Sequence, residues 1–498
     1  MLRTTAPAPP PASLVPLPVP RRIFDWRWRD QIPTSTPMST RQVSDRNDPM
    51  IESRADLIAP MVKGEKPPEA WRIGTEHEKI VYALNDHHAP SYDEAGGIRD
   101  LLVAMQAYGW SPVEEGGKII AMSGPDGAIS LEPAGQLELS GAPLENLHQT
   151  CAETGRHLQQ CKEIGEKFGI GFLGLGMWPD KRRDQLPIMP KGRYAIMLRH
   201  MPRVGTMGLD MMLRTCTIQT NLDYSSEADM AQKFRVSLAL QPLATALFAN
   251  SPFTEGKPNG MLSYRSHIWS DTDPARTGML PFVFEDGFGY ERYVDYILDV
   301  PMYFVFRDGK YIDAAGQSFR DFLDGKLSVL PGEKPRASDW VDHLSTAFPE
   351  VRLKSFLEMR GADGGPWNKI CALPAFWVGL LYDQGALDAA WDLVKHWDMD
   401  GREALRSSVP KLALDAPLPK SFRGGGGKLK DIAAEVLAIA RSGLNARGKL
   451  NGAGDNESGF LGPLDEIVAS GKVPAQVLLD KYNGTWGGDM SRVYEESF

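Results

Sequence analysis

The sequence has few cysteines, no long hydrophobic run and no large excess of one charge. Its four cysteines, Cys151, Cys161, Cys216 and Cys371, match neither a zinc motif nor a CxxC redox pair. No apolar run approaches the roughly 20 residues that span a bilayer. The net charge of −9 gives no reason to expect binding to nucleic acid or to a membrane surface. These absences predict a reduced, cytoplasmic protein whose partners are neither nucleic acids nor membranes.

Composition divides the chain into three predicted regions. Residues 1–48 are rich in Pro and Ala and then in Arg, as in disordered tails. The prolines argue against the amphipathic helix of a transit peptide, so a disordered leader or a start-site artefact is favoured over targeting. Residues 49–385 mix strands with long helices without regular βαβ alternation, and residues 386–498 are helical. The pattern predicts an α+β catalytic domain with an antiparallel sheet and a C-terminal helical region packed on it.

Carboxylates recur at strand spacing in three segments. The segments predicted as strands are Trp71–Leu84, Ala128–Leu139 and Leu353–Ala362. Residues an even number apart on a strand face the same side of a sheet. If each strand runs unbroken, the acids that face one side are Glu76 and Glu78, Glu132 and Glu138, and Glu358.

Such a set of acids requires compensation by cations. Two carboxylates 4 Å apart repel each other by about 4 kcal/mol at an effective dielectric constant near 20. Oxygen ligands select hard ions, and Mg²⁺ held by carboxylates normally shares its coordination with substrate phosphates. A single pair of acids is more often the solvated face of an edge strand. Three such strands favour a site for Mg²⁺ or Mn²⁺ and for nucleotide chemistry.

Basic residues accompany these strands. Lys191 and Arg193 follow a turn bounded by prolines, and Arg360 shares a strand face with Glu358. Arginine matches carboxylate and phosphate oxygens two at a time. Phosphoryl transfer needs positioning and charge neutralisation more than covalent help from the protein. For a single arginine, a surface salt bridge is a more common role than a place in a functional site. For Arg360, which shares a strand face with Glu358, the two roles are equally expected.

Two further segments could bind a small polar ligand. The segment Tyr264–Ser270 is predicted as a strand that places Arg265, His267 and Trp269 on one face. The segment Thr217–Asp223 is also predicted as a strand, with the uncharged side chains of Gln219 and Asn221 on one face. Such a polar row can hold an amino acid by hydrogen bonds, although the exposed face of an antiparallel sheet looks the same.

Two glycine patterns resemble nucleotide-binding loops but fail on context. Gly169, Gly171 and Gly174 spell GxGxxG, but they leave a helix and enter a strand, the reverse of the dinucleotide-binding order. The run Gly424–Gly427 precedes Lys428, but Leu429 stands where a P-loop carries Ser or Thr. Both are interpreted as backbone features, the second as a linker or lid.

Taken together, these segments resemble the plant and proteobacterial class of glutamate–cysteine ligases. The matching stretches include WRIGTEHEKI, SLEPAGQLELSGAPLENLHQTCAE, MPKGRY, GLDMMLRTCTIQTNLDYSSEADM and PEVRLKSFLEMRGADGGPWNK. The resemblance implies a glutamine-synthetase-like fold with a curved antiparallel sheet. It also implies that the γ-carboxylate of glutamate is phosphorylated by ATP and then attacked by the amine of cysteine. The product would be γ-glutamylcysteine, in the first step of glutathione biosynthesis.

The resemblance also implies roles for individual residues. The metal ligands would be Glu76, Glu78, Glu132, Glu138 and Glu358. The groups that contact phosphate would be Lys191, Arg193 and Arg360. Arg265 would bind the α-carboxylate of glutamate, and the residues lining that pocket would be Gln219, Asn221 and Trp269. ATP is then a co-substrate, and Mg²⁺ or Mn²⁺ the cofactor. Plant members of the class carry two redox-switch cysteines where this chain has Ala314 and Val329, so a monomer without that switch is expected.

Two alternatives remain open at this stage. A related carboxylate–amine ligase or a guanidino kinase would keep the fold and the metal site but use a different acceptor. A non-catalytic nucleotide-binding protein of the same fold would have lost the metal carboxylates, whereas all five are present here. Assays of ATP turnover with candidate amines distinguish these alternatives.

Overall fold

The computed structural model describes residues 48–124, 127–422 and 426–496. The predicted leader, residues 1–48, therefore lies outside the described residues except for Asp48. The first half of the glycine run Gly424–Gly427 also lies outside them.

The strands of the described residues are concentrated before residue 364. In chain order they are β1 (Ile73–Ala83), β2 (Ser111–Glu115), β3 (Lys118–Gly124), β4 (Gly127–Leu131), β5 (Leu137–Ser140), β6 (Ile170–Leu173), β7 (Thr217–Leu222), β8 (Phe253–Thr254), β9 (Lys257–Pro258), β10 (Thr277–Gly278), β11 (Phe304–Arg307), β12 (Lys310–Asp313), β13 (Phe348–Pro349), β14 (Val351–Leu353) and β15 (Leu357–Asp363).

Helices are spread along the whole described chain and are the dominant element after residue 366. In order they are α1 (Arg54–Val62), α2 (Ile98–Met105), α3 (Leu147–Phe168), α4 (Gly192–Val204), α5 (Gly208–Arg214), α6 (Glu227–Leu247), α7 (Tyr264–Trp269), α8 (Tyr290–Asp299), α9 (Phe319–Leu323), α10 (Ala337–Ser345), α11 (Trp367–Leu381), α12 (Gln384–Val394), α13 (Met399–Leu412), α14 (Lys430–Arg447), α15 (Gly462–Ser470), α16 (Pro474–Asn483) and α17 (Val493–Glu496).

One nine-stranded antiparallel sheet organises the fold. Its order is β14-β15-β7-β1-β5-β4-β3-β2, and β6 pairs with the second half of β1. The first half of β1 pairs with β5 and with β7. The predicted α+β class with a large antiparallel sheet is confirmed.

The two faces of β1 have different environments. Side chains at odd positions are buried, and Lys79 Nζ lies 2.7 Å from His77 Nδ1. The ring of His77 packs edge-on against that of His157 on α3, with 5.7 Å between centroids. Because alternate side chains point to opposite faces, Glu76 and Glu78 lie on the face that α3 does not cover.

The C-terminal helices share the hydrophobic core of the sheet. α14 packs on α11, and α13 packs on α6. Leu444 and Leu464 belong to the same buried cluster as Ile73 and Ile218. The boundary at residue 385 stays a prediction.

Within the described residues, no single helix is long and apolar enough to cross a membrane. α11 and α12 reach the required length and apolarity only as a pair, and they are bent by 90° relative to each other.

Cys371 on α11 lies against a second thiol. Its Sγ is 2.8 Å from Sγ of Cys151 on α3, and both are free cysteines. Cys371 is thus buried in the core and also has a thiol neighbour on α3.

The segment Ala128–Leu139 is two strands rather than one, so that prediction is wrong. β4 and β5 form a hairpin in which Gly135 has a φ of +86°, a conformation that glycine adopts readily. The turn is closed by the Glu132 N–H, which donates to the Gln136 carbonyl at 2.9 Å. Glu138 thus faces Ser130 across the hairpin, and Glu132 lies at the turn.

The segment Tyr264–Ser270 is helix α7 rather than a strand, which corrects a second prediction. Ser263 caps this helix by accepting a hydrogen bond from the Ser266 N–H at 3.2 Å. Arg265 and Trp269 still share a face, since residues four apart lie on the same side of a helix as well as of a strand. His267 does not share that face.

Candidate active site

Four of the five predicted acidic residues lie in rows that run across the sheet, and the fifth, Glu132, lies at the turn between β4 and β5. In the first row, Glu78 of β1 stands directly opposite Glu138 of β5, which in turn faces Ser130 of β4. Side chains directly opposite in an antiparallel pair have Cβ atoms about 4.5–5.5 Å apart. The register therefore brings two carboxylates together, as expected from strand spacing.

Two further rows lie beside it. Glu76 stands between Gln219 of β7 and Ser140 of β5. In the next row Glu358 of β15 faces Asn221 of β7. The side chain of Asn221 joins these rows, because its Nδ2 donates to Glu76 Oε1 at 2.8 Å.

Burial and mutual repulsion disfavour the charged forms of the first row. Burial, followed by the charges of Glu132 and Glu138, raises the pKa of Glu78 well above its ordinary value, although the Thr217 N–H donates to Glu78 Oε2 at 2.9 Å. Burial and Glu132 also raise the pKa of Glu138. Glu138 accepts hydrogen bonds from the hydroxyls of Ser130 (2.9 Å) and Ser140 (2.7 Å).

Glu358 has the opposite electrostatic environment. Arg352 Nε and Nη2 hold its two oxygens at 2.5 and 3.0 Å, Arg360 Nη1 lies 3.2 Å away and Lys354 Nζ lies 3.4 Å away. Burial alone would raise the pKa of this carboxyl, but the three cations outweigh it and hold the pKa well below its usual range. Glu358 is thus ionised and surrounded by cations.

Lys191 and Arg193 lie near Glu132. Lys191 precedes α4, is buried, and donates from Nζ to the Leu131 carbonyl at 2.8 Å. Burial lowers the pKa of Lys191 to about 8, and the charges of Glu132 and Glu138 oppose that shift. The Nε of Arg193 is buried and has no hydrogen-bond partner among the described residues. Both cations are therefore placed beside the turn that carries Glu132.

A β-bulge in β15 organises the arginines. The register shifts between Met359 and Ala362, which leaves Arg360 and Gly361 together opposite one residue of β7. The side chain of Arg360 donates from Nη1 to Gln219 Oε1 at 2.7 Å. Its main-chain carbonyl accepts from Arg265 Nη2 at 3.1 Å. The bulge thus connects α7 to the sheet.

A small recess lies next to this bulge. Its lining includes Arg265, Trp269, Phe348, Glu350 and Arg360. Nε of Arg265 and Nε1 of Trp269 are buried and have no hydrogen-bond acceptor among the described residues. Orphaned buried donors are costly, so they indicate a place where a ligand acceptor fits.

The acidic face fits a divalent ion that is bound together with substrate. Within the described residues, no group of three or more Asp, Glu, His or Cys side chains is arranged to hold a metal ion. Glu78 and Glu138, however, form an opposed pair with raised pKa values and no basic side chain hydrogen-bonded to them. One or two carboxylates suffice for Mg²⁺ when substrate phosphates complete its coordination.

Two site residues were missed by the sequence analysis. Arg352 fixes Glu358, and its Nη1 donates to the carbonyls of Ser345 and Ala347 at 2.7 and 3.0 Å. Lys354 lies beside Glu358, and its charge partly offsets the rise in the pKa of Glu76 that burial causes. The alternation of Val351–Leu353 could have placed Arg352 on the site face, but only the hairpin shows that it pairs with Glu358.

The stability of the metal-free protein is expected to depend on Glu76 and pH. Burial and then Glu358 raise its pKa from 4.5 to about 7. Between pH 4.5 and about 7 the Glu76 carboxyl binds more protons in the folded state than in the unfolded state. The contribution of Glu76 to the free energy of unfolding therefore falls as pH rises through this range. The drop in melting temperature between pH 5 and pH 7.5 should be smaller in Glu76→Gln than in the unsubstituted protein. Equal drops would contradict the buried environment of Glu76.

Comparison with known proteins identifies the family. Residues 72–496 match the family model of glutamate–cysteine ligase family 2 (GCS2). The chain belongs to this family. It is 58% identical to the glutamate–cysteine ligase of Arabidopsis thaliana over 445 residues, 89% of this chain and 82% of the relative. The corresponding enzyme of Brassica juncea is 57% identical over 89% and 84%. The family and the ligase activity predicted from the sequence are confirmed.

A solved structure agrees with the fold. The crystal structure of a glutamate–cysteine ligase from Francisella tularensis in complex with AMP superposes with a TM-score of 0.51. The superposition covers 86% of this chain and 88% of that one, at 13% identity. At this level of identity the likeness shows the fold alone.

The names of the sequence relatives show that the predicted cytoplasmic location is wrong. The relatives from Arabidopsis thaliana, Brassica juncea and Nicotiana tabacum are all named chloroplastic. A low cysteine content argues against an oxidising compartment, but it does not distinguish between reducing ones.

Proposed function

We propose that this protein joins the γ-carboxylate of L-glutamate to the amine of L-cysteine at the expense of ATP. The product is γ-glutamylcysteine, and the chain acts in the first step of glutathione biosynthesis. The observation that carries the proposal is the family match over residues 72–496, which includes every predicted site residue. The paired carboxylates and the arginine-lined recess give that chemistry a location.

The acidic rows would bind Mg²⁺ or Mn²⁺. Glu78 and Glu138 are the central pair, with Glu76 and Glu132 beside them. When bound, the ion would neutralise the phosphate oxygens as charge shifts during phosphoryl transfer. Glu358 would join this set only by exchanging one of its arginine contacts for the ion, because both of its oxygens are already paired.

The cations would bind the anionic parts of the substrates. Lys191, Arg193 and Arg360 lie around the acidic rows and would contact the phosphates of ATP. Arg265 and Trp269 would bind the α-carboxylate of glutamate through their unpaired donors. Gln219 and Asn221 would line the same pocket, since Gln219 stands opposite Glu76 in its row and Asn221 lies in the next row.

The reaction would follow from this arrangement. A γ-carboxylate oxygen of glutamate attacks the γ-phosphorus of ATP, which releases ADP and leaves γ-glutamyl phosphate. The cysteine nitrogen then attacks the acyl carbon, loses a proton, and phosphate departs with the oxygen. Holding the amine against the acyl phosphate supplies much of the rate enhancement.

Phosphate release from ATP tests the proposal directly. With glutamate and Mg²⁺ present, we expect rapid release only when cysteine is added, and mass spectrometry should identify γ-glutamylcysteine. Chelation of the metal should stop the reaction, and Mg²⁺ should restore it. Equal turnover with unrelated amines in place of cysteine would instead indicate a ligase of different acceptor specificity.

A further inference from the structure

Two recesses of the active site meet at a single carboxylate, that of Glu350. The recess that contains Arg265 and Trp269 also has Glu350 in its wall. The lining of a second small recess includes Glu350, Arg406 and Gln241. Glu350 lies in the loop between β13 and β14, next to the bulge of β15. Of the described residues that line the recess containing Arg265, Glu350 is the only acidic one.

The main chain and a distant arginine hold Glu350 in place. Its N–H donates to the Gly278 carbonyl at 3.0 Å, and its own carbonyl accepts from the Arg360 N–H at 3.2 Å. Arg406 of α13 donates from Nε to Glu350 Oε1 at 2.8 Å. The two side chains are only 12% and 17% exposed. The carboxylate is thus fixed by a residue from the C-terminal helices.

One oxygen of this carboxylate remains available. Among the described residues, Oε2 of Glu350 accepts no hydrogen bond, although an ionised carboxylate can accept several. The amide of Gln241 in the second recess is buried, and neither its nitrogen nor its oxygen has a hydrogen-bond partner in the described part of the chain. Among the described residues, an unpaired oxygen of Glu350 and the unpaired Gln241 amide thus lie at the second recess, and the first recess brings Glu350 together with the unpaired donors of Arg265 and Trp269.

This arrangement complements an α-amino acid. The carboxylate of such a ligand needs donors, and its ammonium group needs acceptors, preferably anionic ones. A site that pairs with a charged group rejects an analogue lacking that group, because the site's own charge is then left buried and unpaired.

We propose that Glu350 binds the α-ammonium group of glutamate and that Arg406 is the positioning residue that fixes Glu350. This inference rests on the proposed function, because it deepens the assignment of the glutamate pocket. It gives the C-terminal helical region a part in substrate selection, since α13 supplies Arg406.

Glutarate, which is glutamate without its amino group, tests the proposal. In the unsubstituted protein, glutarate should inhibit with an inhibition constant well above the KM for glutamate. In Glu350→Gln, the KM for glutamate should rise by about 10- to 100-fold, as expected for the loss of a charged hydrogen bond. The inhibition constant of glutarate should change little, and kcat at saturating glutamate should change less than KM.

The second partner of Arg406 provides a matched control. Glu403 lies 3.7 Å from Arg406 Nη1 and its side chain is 42% exposed, so Glu403→Gln removes the same charge outside the recesses and should leave both constants unchanged. Arg406→Met should raise the KM for glutamate without affecting inhibition by glutarate, and Arg406→Lys should restore part of the loss. A merely structural role of Arg406 would affect both ligands equally.

Two outcomes would overturn the inference. One is that glutarate inhibits the unsubstituted protein as tightly as glutamate binds, a measurement that needs no variant to fold. The other is that Glu350→Gln keeps the preference for glutamate over glutarate. In either case the proposed ligase function stands as long as the unsubstituted protein makes γ-glutamylcysteine, so the two failures are distinguishable.

Discussion

Replacement of Glu78 by glutamine is expected to lower kcat for phosphate release by about 10³-fold while the protein stays folded. The amide keeps the size of the side chain and can still accept from the Thr217 N–H. It removes a negative charge from the pair with Glu138, which the proposed metal ion requires. Because that charge is buried and repelled in the metal-free protein, the variant should melt at the same temperature or higher. Phosphate release and thermal unfolding measure the two effects.

A matched control lies on an edge strand of the same sheet. Glu114 on β2 is exposed, so Glu114→Gln makes the same chemical change far from the acidic rows. Both its activity and its melting temperature should remain close to those of the unsubstituted protein. If Glu78→Gln retained activity comparable to that of Glu114→Gln, the assignment of Glu78 to the metal site would be wrong.

Replacement of Arg352 by methionine is expected to lower the free energy of unfolding by about 3 kcal/mol. Arg352 supplies two of the contacts to the buried Glu358 carboxylate and also satisfies two main-chain carbonyls. Its loss leaves that charge with only Lys354 and Arg360, which lie farther away. Urea-induced unfolding at neutral pH measures the change.

An exposed ion pair gives the reference value. Arg320 pairs with Asp299 at 2.7 Å, but the side chains are 46% and 68% exposed, so Arg320→Met should cost no more than about 1 kcal/mol. Combining Arg352→Met with Glu358→Gln should recover part of the lost stability, because the buried carboxylate is then removed together with the cation that holds both of its oxygens. A loss in Arg352→Met no larger than in Arg320→Met would contradict the role assigned to this contact.

The sequence predicted the parts of the site that depend on local spacing. Alternation along β1 placed Glu76 and Glu78 on one face, and alternation along β7 did the same for Gln219 and Asn221. Both strands are regular over these residues, so a period of two was sufficient. The pair Arg265 and Trp269 was also predicted correctly, although for a strand, because a spacing of four is compatible with both elements.

The parts that the sequence did not predict depend on turns and on long-range pairing. A glycine at φ +86° divides the segment around Glu132 and Glu138 into a hairpin, and alternation cannot reveal such a turn. The distance between Arg406 and Glu350 along the chain is 56 residues, so their ion pair follows only from the packing of α13. For the same reason, the cations around Glu358 become apparent only when β14 folds back on β15.

The bulge in β15 gives the two central arginines separate hydrogen-bond anchors. It is the peptide oxygen of residue 360, and not the guanidinium, that anchors Arg265. Substituting the side chain at 360 therefore leaves the anchor of the neighbouring helix intact, and substituting Arg265 leaves the bond from Arg360 to Gln219 in place. Losses measured in the two single variants can thus be attributed separately to phosphate handling and to recognition of the amino acid.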